Sequence, residues 1–200
     1  MIKAIIDTCF IEKFNNSGII SEDLKKLISA AEFELYLHPY IYQNELSMFS
    51  FSEDLVKSGF IKLVKYDEFI PADYYKNYYS SLFLEIYNEF YNRLLVSNPR
   101  KANKMHPLLP DTDVFNDRYG GSSIGDVHMI MMALFMEIPI ILSQDNNDLT
   151  EIYEIAKYKI NRDDYTLELY SVTDVVEYIK NSGSSNITNK ELRRIKRAYD

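Results

Sequence analysis

Short apolar runs, separated by polar and turn-forming segments, dominate the hydrophobic pattern of this chain. The first run, residues 2–6, is nearly continuous in apolar residues and ends at Asp7. A short continuous run of this kind predicts a parallel strand that is covered on both faces. The predicted strands cover residues 2–6, 33–37, 61–64, 139–142 and 166–170.

Between these runs, apolar residues recur at helical spacing. Ser21 is followed by two acids and then by apolar residues three and four positions apart, which predicts a capped helix. Pro39 begins another helix, on which Ile41, Glu45 and Phe49 share one face at four-residue steps. Further helices are predicted at residues 52–58, 71–96, 123–136, 148–158, 172–180 and from Thr188 onward.

Strands that alternate with helices predict an α/β fold, a three-layer α/β/α sandwich with a central parallel sheet of about five strands. Residues 71–121 depart from this alternation, because a tyrosine-rich helical pattern is followed there by three prolines and two adjacent glycines. We interpret them as a helical insertion. Residues 1–181 are expected to form one domain, and residues 182–200 a flexible link followed by a basic helix.

Composition and charge narrow the range of functions. The chain is 46% hydrophobic and has one cysteine, which favours a globular protein of the reducing cytoplasm. No apolar stretch is long enough to cross a membrane, and the apolar start is too short for a signal peptide. The formal net charge of −8 argues against a protein that coats nucleic acid by charge alone, although residues 190–200 hold five basic residues against two acids.

Four acidic residues fall where the predicted elements would collect a ligand. Asp7 follows the first strand and Asp145 the fourth, so both are expected at the carboxyl edge of the sheet, where parallel α/β folds bind ligands. Asp126 lies in the first turn of a long helix, whose dipole favours negative charge. Glu45 lies on the helix after the second strand and is expected to lean over the same crevice.

Carboxylates that converge in this way raise each other's pKa unless a cation neutralises them. Mg²⁺ or Mn²⁺ suits such a site because both are hard ions that prefer oxygen ligands. The sequence has no Cys/His cluster for zinc, and its three histidines are scattered. One ion, or two, at this position would activate water and stabilise the charge that builds up on a phosphodiester during hydrolysis.

Four segments carry these acids, and in their order and surroundings they resemble the signature of PIN domains, a family of metal-dependent nucleases. The segments are Ile5-Ile6-Asp7-Thr8, Tyr42-Gln-Asn-Glu45-Leu46, Gly125-Asp126, and Leu142-Ser143-Gln144-Asp145-Asn146-Asn147-Asp148-Leu149. The similarity covers residues 1 to about 175. The chain departs from the family at Cys9, where a small polar residue is common, and in the length of the 71–121 segment.

The resemblance implies an endonuclease that hydrolyses RNA in preference to DNA, often the toxin of a toxin–antitoxin pair, and often a homodimer. The implied metal ligands and catalytic acids are Asp7, Glu45, Asp126 and Asp145. The residues implied to orient them are Thr8 and Ser143, with Asp148 as an auxiliary acid.

An acidic site must recruit a polyanion through positive charge elsewhere. The candidate nucleic-acid-binding residues are Arg100, Lys101, Lys104 and Arg118 in the insertion, and Arg193, Arg194, Lys196 and Arg197 in the tail. A solvated loop explains the first group equally well. The tail helix could instead dock through its apolar face or meet an acidic partner. The tyrosines of residues 74–91 favour a packing or dimer face over base stacking.

Two other functions are alternatives to the nuclease. A catalytically weak PIN-like module that binds RNA or a protein would use the same insertion and tail without turnover. A phosphatase on another α/β sheet is disfavoured, because Asp7-Thr8-Cys9 lacks the second aspartate of a phospho-aspartate motif and the chain has no phosphate-binding glycine loop.

Overall fold

The computed structural model describes residues 1–116, 123–162, 164–183 and 186–199. The chain packs into two compact units. The first comprises Met1–Val64, Ile138–Asn146 and Leu167–Asp200, and the second comprises Lys65–Glu137 and Asn147–Thr166.

The elements of secondary structure follow the predicted alternation. The strands are β1 (Ile2–Ile6), β2 (Asn15–Asn16), β3 (Ile19–Ile20), β4 (Phe33–Leu37), β5 (Ile61–Leu63), β6 (Ile140–Leu142) and β7 (Glu168–Tyr170). The helices are α1 (Thr8–Lys13), α2 (Glu22–Ala31), α3 (Pro39–Ile41), α4 (Ser50–Lys57), α5 (Tyr66–Phe69), α6 (Asp73–Ser97), α7 (Pro99–Ala102), α8 (Ile124–Met136), α9 (Asn146–Ile160), α10 (Val172–Ser182) and α11 (Asn189–Tyr199).

The first unit is built on a parallel sheet, which has five strands in the described part of the chain, in the order β5-β4-β1-β6-β7. The predicted α/β class with a central parallel sheet flanked by helices is confirmed. β1 lies in the middle, and Ala4, Ile5 and Ile6 are fully buried. Ile6 is in register with Leu142 of β6, and the Asp7 amide donates to the Leu142 carbonyl at 3.0 Å. The carboxyl ends of these two strands are therefore held side by side.

Two elements of the first unit were not predicted from the sequence. One is the short helix α1, which follows β1 directly. The other is the antiparallel hairpin of β2 and β3, whose connecting residues Ser17 and Gly18 both have positive φ, 54° and 88°. Two successive positive φ values match the tight turn that two-residue hairpins prefer.

The C-terminal helix α11 is docked within the first unit. Leu192 and Ile195 are buried, and Arg194 makes a two-point ion pair with the buried carboxylate of Asp23, at 2.8 and 2.5 Å. The Tyr199 hydroxyl adds a bond to Asp23 at 3.0 Å. The apolar-face docking that the sequence offered as one option is therefore the observed arrangement.

Arg194→Ala is expected to loosen α11, because it leaves the Asp23 carboxylate buried without its cation. We expect a loss in the local stability of the helix, measured as faster amide hydrogen exchange over residues 189–199. Arg193→Ala is the matched control, since Arg193 is exposed and forms no ion pair with a described residue. Equal exchange rates in the two variants would show that the ion pair does not anchor the helix.

The second unit contains the long helix α6, α8 and α9. α6 buries one face through aromatic and aliphatic side chains, among them Tyr79, Phe83, Ile86 and Phe90. No helix in the described ranges, α6 included, has both the length and the apolarity needed to cross a membrane.

A buried chain of hydrogen bonds fixes the interior of the second unit. The Tyr79 hydroxyl lies 2.8 Å from His128 Nδ1, and His128 Nε2 lies 2.9 Å from the Val114 carbonyl. Burial lowers the pKa of His128 to about 3, so the ring is neutral. A carbonyl can only accept, so Nε2 carries the proton and Nδ1 accepts from the Tyr79 hydroxyl. His128 therefore has a structural role, since it links Tyr79 to the Val114 carbonyl.

Tyr79→Phe is expected to destabilise the protein by about 1–3 kcal/mol, because it leaves His128 Nδ1 buried without its donor. Urea denaturation followed by circular dichroism measures this loss. Tyr158→Phe removes the same hydroxyl from a side chain that is 85% exposed and should leave the denaturation midpoint unchanged. A Tyr79→Phe midpoint equal to that of the wild type would refute the assigned hydrogen-bond chain.

Candidate functional site

Asp7 lies at the carboxyl end of the central strand, where β1 gives way to α1. Its side chain is only 8% exposed. One carboxylate oxygen, Oδ2, accepts hydrogen bonds from the Cys9 thiol at 2.7 Å and the Ser143 hydroxyl at 2.8 Å. The carboxylate is therefore oriented by two uncharged donors, one from α1 and one from the segment after β6.

Burial dominates the electrostatics of Asp7. It raises the pKa of the Asp7 carboxyl, while the hydrogen bonds from Cys9 and Ser143 act in the opposite direction and only partly offset it. Burial and the nearby Asp7 charge also raise the pKa of the Cys9 thiol to about 12, so that thiol stays protonated and acts as a donor. Asp7 forms no ion pair with a described residue, so no basic side chain in the described ranges balances its charge.

Glu45 is the second acid that the structure brings to this site. Its Oε2 accepts a hydrogen bond of 2.7 Å from the hydroxyl of Thr8, the residue that follows Asp7. Burial raises the pKa of Glu45 to about 7, the Thr8 hydrogen bond opposes this rise, and the charges of Asp7 and Glu12 add to it. The carboxyl therefore gains and loses its proton near neutral pH.

Glu45 reaches Thr8 from a π-helical turn, Tyr42–Leu46, in which the Ser47 amide donates to the Tyr42 carbonyl at 2.8 Å. The prediction that Ile41, Glu45 and Phe49 share one helical face is wrong, because the widened turn breaks the four-residue step and Phe49 instead precedes α4. Single π turns occur often at functional sites, where they redirect one side chain.

Ser143 connects Asp7 to Asp145. Its hydroxyl is fully buried, donates to Asp7 and accepts from the Asp145 amide at 3.2 Å. The Asp145 side chain itself is exposed. Asp145 therefore lies in the same segment as Ser143, which orients Asp7. The carboxylate of Asp145 faces solvent.

Asp126 and Asp148 belong to the second unit. Asp126 lies in the first turn of α8, as predicted, and is half-buried. Asp148 forms an ion pair with Lys101 and accepts a hydrogen bond of 2.7 Å from the Ser123 hydroxyl. The roles assigned to these two acids from the sequence stay predictions, and the charge of Asp148 is balanced locally by Lys101.

The basic residues proposed to hold nucleic acid fall into two groups. Lys101, Arg194 and Lys196 are engaged in ion pairs with Asp148, Asp23 and Glu177 respectively. Four others are exposed and form no ion pair with a described residue, namely Arg100, Lys104, Arg193 and Arg197. Arg118 lies outside the described residues. Charges already paired within the chain contribute less to binding a polyanion than exposed charges do.

Sequence reasoning missed two residues of the site, Cys9 and Glu12. Cys9 links the end of β1 to the segment after β6, since it also accepts from the Gln144 amide at 3.2 Å. Glu12 adds negative charge near Glu45. The signal for Glu12 was its position four residues after Thr8, which places both on one face of α1 once that helix is recognised.

The donor set suits a hard divalent cation. Asp7 and Glu45 offer carboxylate oxygens, both are substantially buried, and neither is neutralised by a described basic residue. Within the described ranges, however, no group of three or more His, Cys, Asp and Glu side chains is arranged to hold a metal ion. Of the four acids selected from the sequence, Asp7 and Glu45 therefore lie at one site in the first unit. Asp145 is linked to Asp7 by the hydrogen bonds of Ser143.

Comparison of the chain with protein-family models, curated proteins and solved structures gives no match.

Proposed function

We propose that this chain is a Mg²⁺- or Mn²⁺-dependent endonuclease that hydrolyses phosphodiester bonds, with RNA as its substrate. The observation that carries the proposal is the pairing of Asp7, at the carboxyl end of the central strand, with Glu45, which is hydrogen-bonded to the next residue, Thr8. Both acids have a raised pKa because of burial, and the charge of Asp7 raises the pKa of Glu45 further. Two such acids, with no basic partner among the described residues, favour a site that a cation completes.

In this proposal Asp7 and Glu45 bind the metal directly, and Asp145 contributes from the exposed side. Ser143, Cys9 and Thr8 act through their hydrogen bonds, which fix one oxygen of Asp7 and one of Glu45. Asp126, the fourth acid of the sequence motif, is retained as a predicted ligand.

The bound ion would supply the two things that phosphodiester hydrolysis needs, a water of lowered pKa and stabilisation of the charge on the phosphate. The chain's own part is to hold its carboxylates in fixed positions before the substrate arrives. Because Glu45 titrates near pH 7, it is poised to give up its proton when a cation binds.

The test is cleavage of a labelled single-stranded RNA by the full chain, with Mn²⁺ in one arm and a chelator in the other. Cleavage that requires Mn²⁺ and is faster on RNA than on single-stranded DNA supports the proposal. RNA binding without cleavage in any divalent ion would instead favour the RNA-binding module. The resemblance to PIN domains adds the proposal that the enzyme is a toxin restrained by an antitoxin protein.

A further inference from the structure

The helix α11 has a buried inner face and an exposed outer face. Its inner face is held by the burial of Leu192 and Ile195, by the ion pair of Arg194 with Asp23, and by stacking of Tyr199 on Phe14, with ring centroids 4.3 Å apart. These contacts fix the rotation of the helix about its axis. They therefore determine which residues lie on its outer face.

The outer face carries a row of basic side chains. Lys190, Arg193 and Arg197 are spaced three and four residues apart, which aligns them along one side of the helix. All three are exposed, and none forms an ion pair with a described residue. With a rise of about 1.5 Å per residue, the row extends over about 10 Å.

The two described acids near this row have partners of their own. Glu191 is paired with Lys26 at 3.8 Å, and it accepts from the amide and hydroxyl of Thr188 at 3.0 and 2.8 Å, which caps the start of α11. Glu177 of α10 is paired with Lys180 and Lys196. The row therefore remains a strip of net positive charge on a chain whose formal charge is −8.

We propose that Lys190, Arg193 and Arg197 form a docking strip for the phosphate backbone of single-stranded RNA. The concave surface at this face is lined by Asn189, Lys190, Glu191, Arg193, Arg194, Arg197 and Ala198. It has no large apolar side chain, whereas a stable protein partner needs an apolar core in its interface. Charge alone suffices to hold a phosphate backbone.

An anionic membrane is a poorer fit for the same strip. Helices that bind a membrane surface insert their apolar face among the lipids, and the apolar face of α11 is buried in the protein. This inference deepens the proposed nuclease, on which it rests, by assigning a surface that holds the substrate.

The experiment is binding of a fluorescent oligouridylate to the full chain in chelator, measured by anisotropy between about 50 and 200 mM salt. Three phosphate contacts predict a slope of log affinity against log salt of about −2 for the wild type. Arg193→Ala with Arg197→Ala should weaken binding roughly tenfold at low salt and reduce the slope by about 1.4 in magnitude. Lysine at both positions should restore binding.

The matched control is Lys25→Ala with Lys57→Ala, which removes two exposed positive charges from other helices of the first unit. It should leave the slope unchanged. Equal weakening in control and test variants, no effect of the test variant, or binding to phosphatidylserine vesicles without binding to RNA would each overturn the proposal. Binding in chelator does not depend on cleavage, so a chain that binds but never cuts would refute the nuclease and leave the strip standing.

Discussion

Asp7→Asn is expected to lower the rate of Mn²⁺-dependent RNA cleavage by about a thousandfold or more, because it removes a charge that contributes several kcal/mol through the metal. Asparagine has nearly the same shape as aspartate, and its carbonyl oxygen can still accept from Cys9 and Ser143. The loss would therefore report the charge and not a collapse of the site. A time course of RNA cleavage at saturating Mn²⁺ measures it.

The control for this variant is Asp54→Asn, the same chemical change at an exposed position on α4. It should cleave at the wild-type rate. Because burial raises the pKa of Asp7, Asp7→Asn should also be at least as stable as the wild type without metal. Full activity in Asp7→Asn, or equal losses in both variants, would remove Asp7 from the mechanism.

Glu45→Gln is expected to stabilise the metal-free protein at neutral and alkaline pH while it weakens Mn²⁺ binding. The pKa of Glu45 is raised from 4.5 to about 7 in the folded chain. Below its ordinary pKa both folded and unfolded chains hold the proton, so the folded state keeps its full stability. As the pH rises through about 7, the folded chain also loses this proton. The free energy of unfolding then falls by about 3 kcal/mol.

Urea denaturation in chelator, repeated from about pH 5 to pH 8, measures this effect. The free energy of unfolding of the wild type should fall as the pH rises, and the fall should be smaller in Glu45→Gln. Glu154→Gln, at an exposed position on α9, should follow the wild type. Addition of Mn²⁺ should stabilise the wild type and not Glu45→Gln. Identical pH profiles for wild type and Glu45→Gln would contradict the burial of this carboxyl.

The sheet could be predicted from the sequence because a buried parallel strand has a local signature. β1 and β4 are short runs that are apolar except at Lys3 and Glu34, and their observed bounds match the predicted ones. Asp7 and Asp145 could be placed at the carboxyl edge for the same reason. The strand order and the division into two units depend on contacts between distant segments, which no local pattern records.

The surroundings of Glu45 could not be predicted from the helical spacing of the residues around it. A regular four-residue step assumes an unbroken α-helix, and the π turn Tyr42–Leu46 inserts an extra residue into that step. The link of Arg194 to Asp23 was missed for a different reason, since the two residues are 171 positions apart. The sequence marked both as charged residues, but only the fold shows that they neutralise each other.

The central claim is that Asp7 and Glu45 form a divalent metal site, and calorimetric titration of the full chain with Mn²⁺ near neutral pH tests it most directly. We predict saturable binding that releases up to about one proton as Glu45 ionises, so that the measured heat changes with the ionisation enthalpy of the buffer. Asp7→Asn and Glu45→Gln should lose this binding, and Asp54→Asn should keep it. No saturable heat, or the same heat in Asp7→Asn as in the wild type, would contradict the claim.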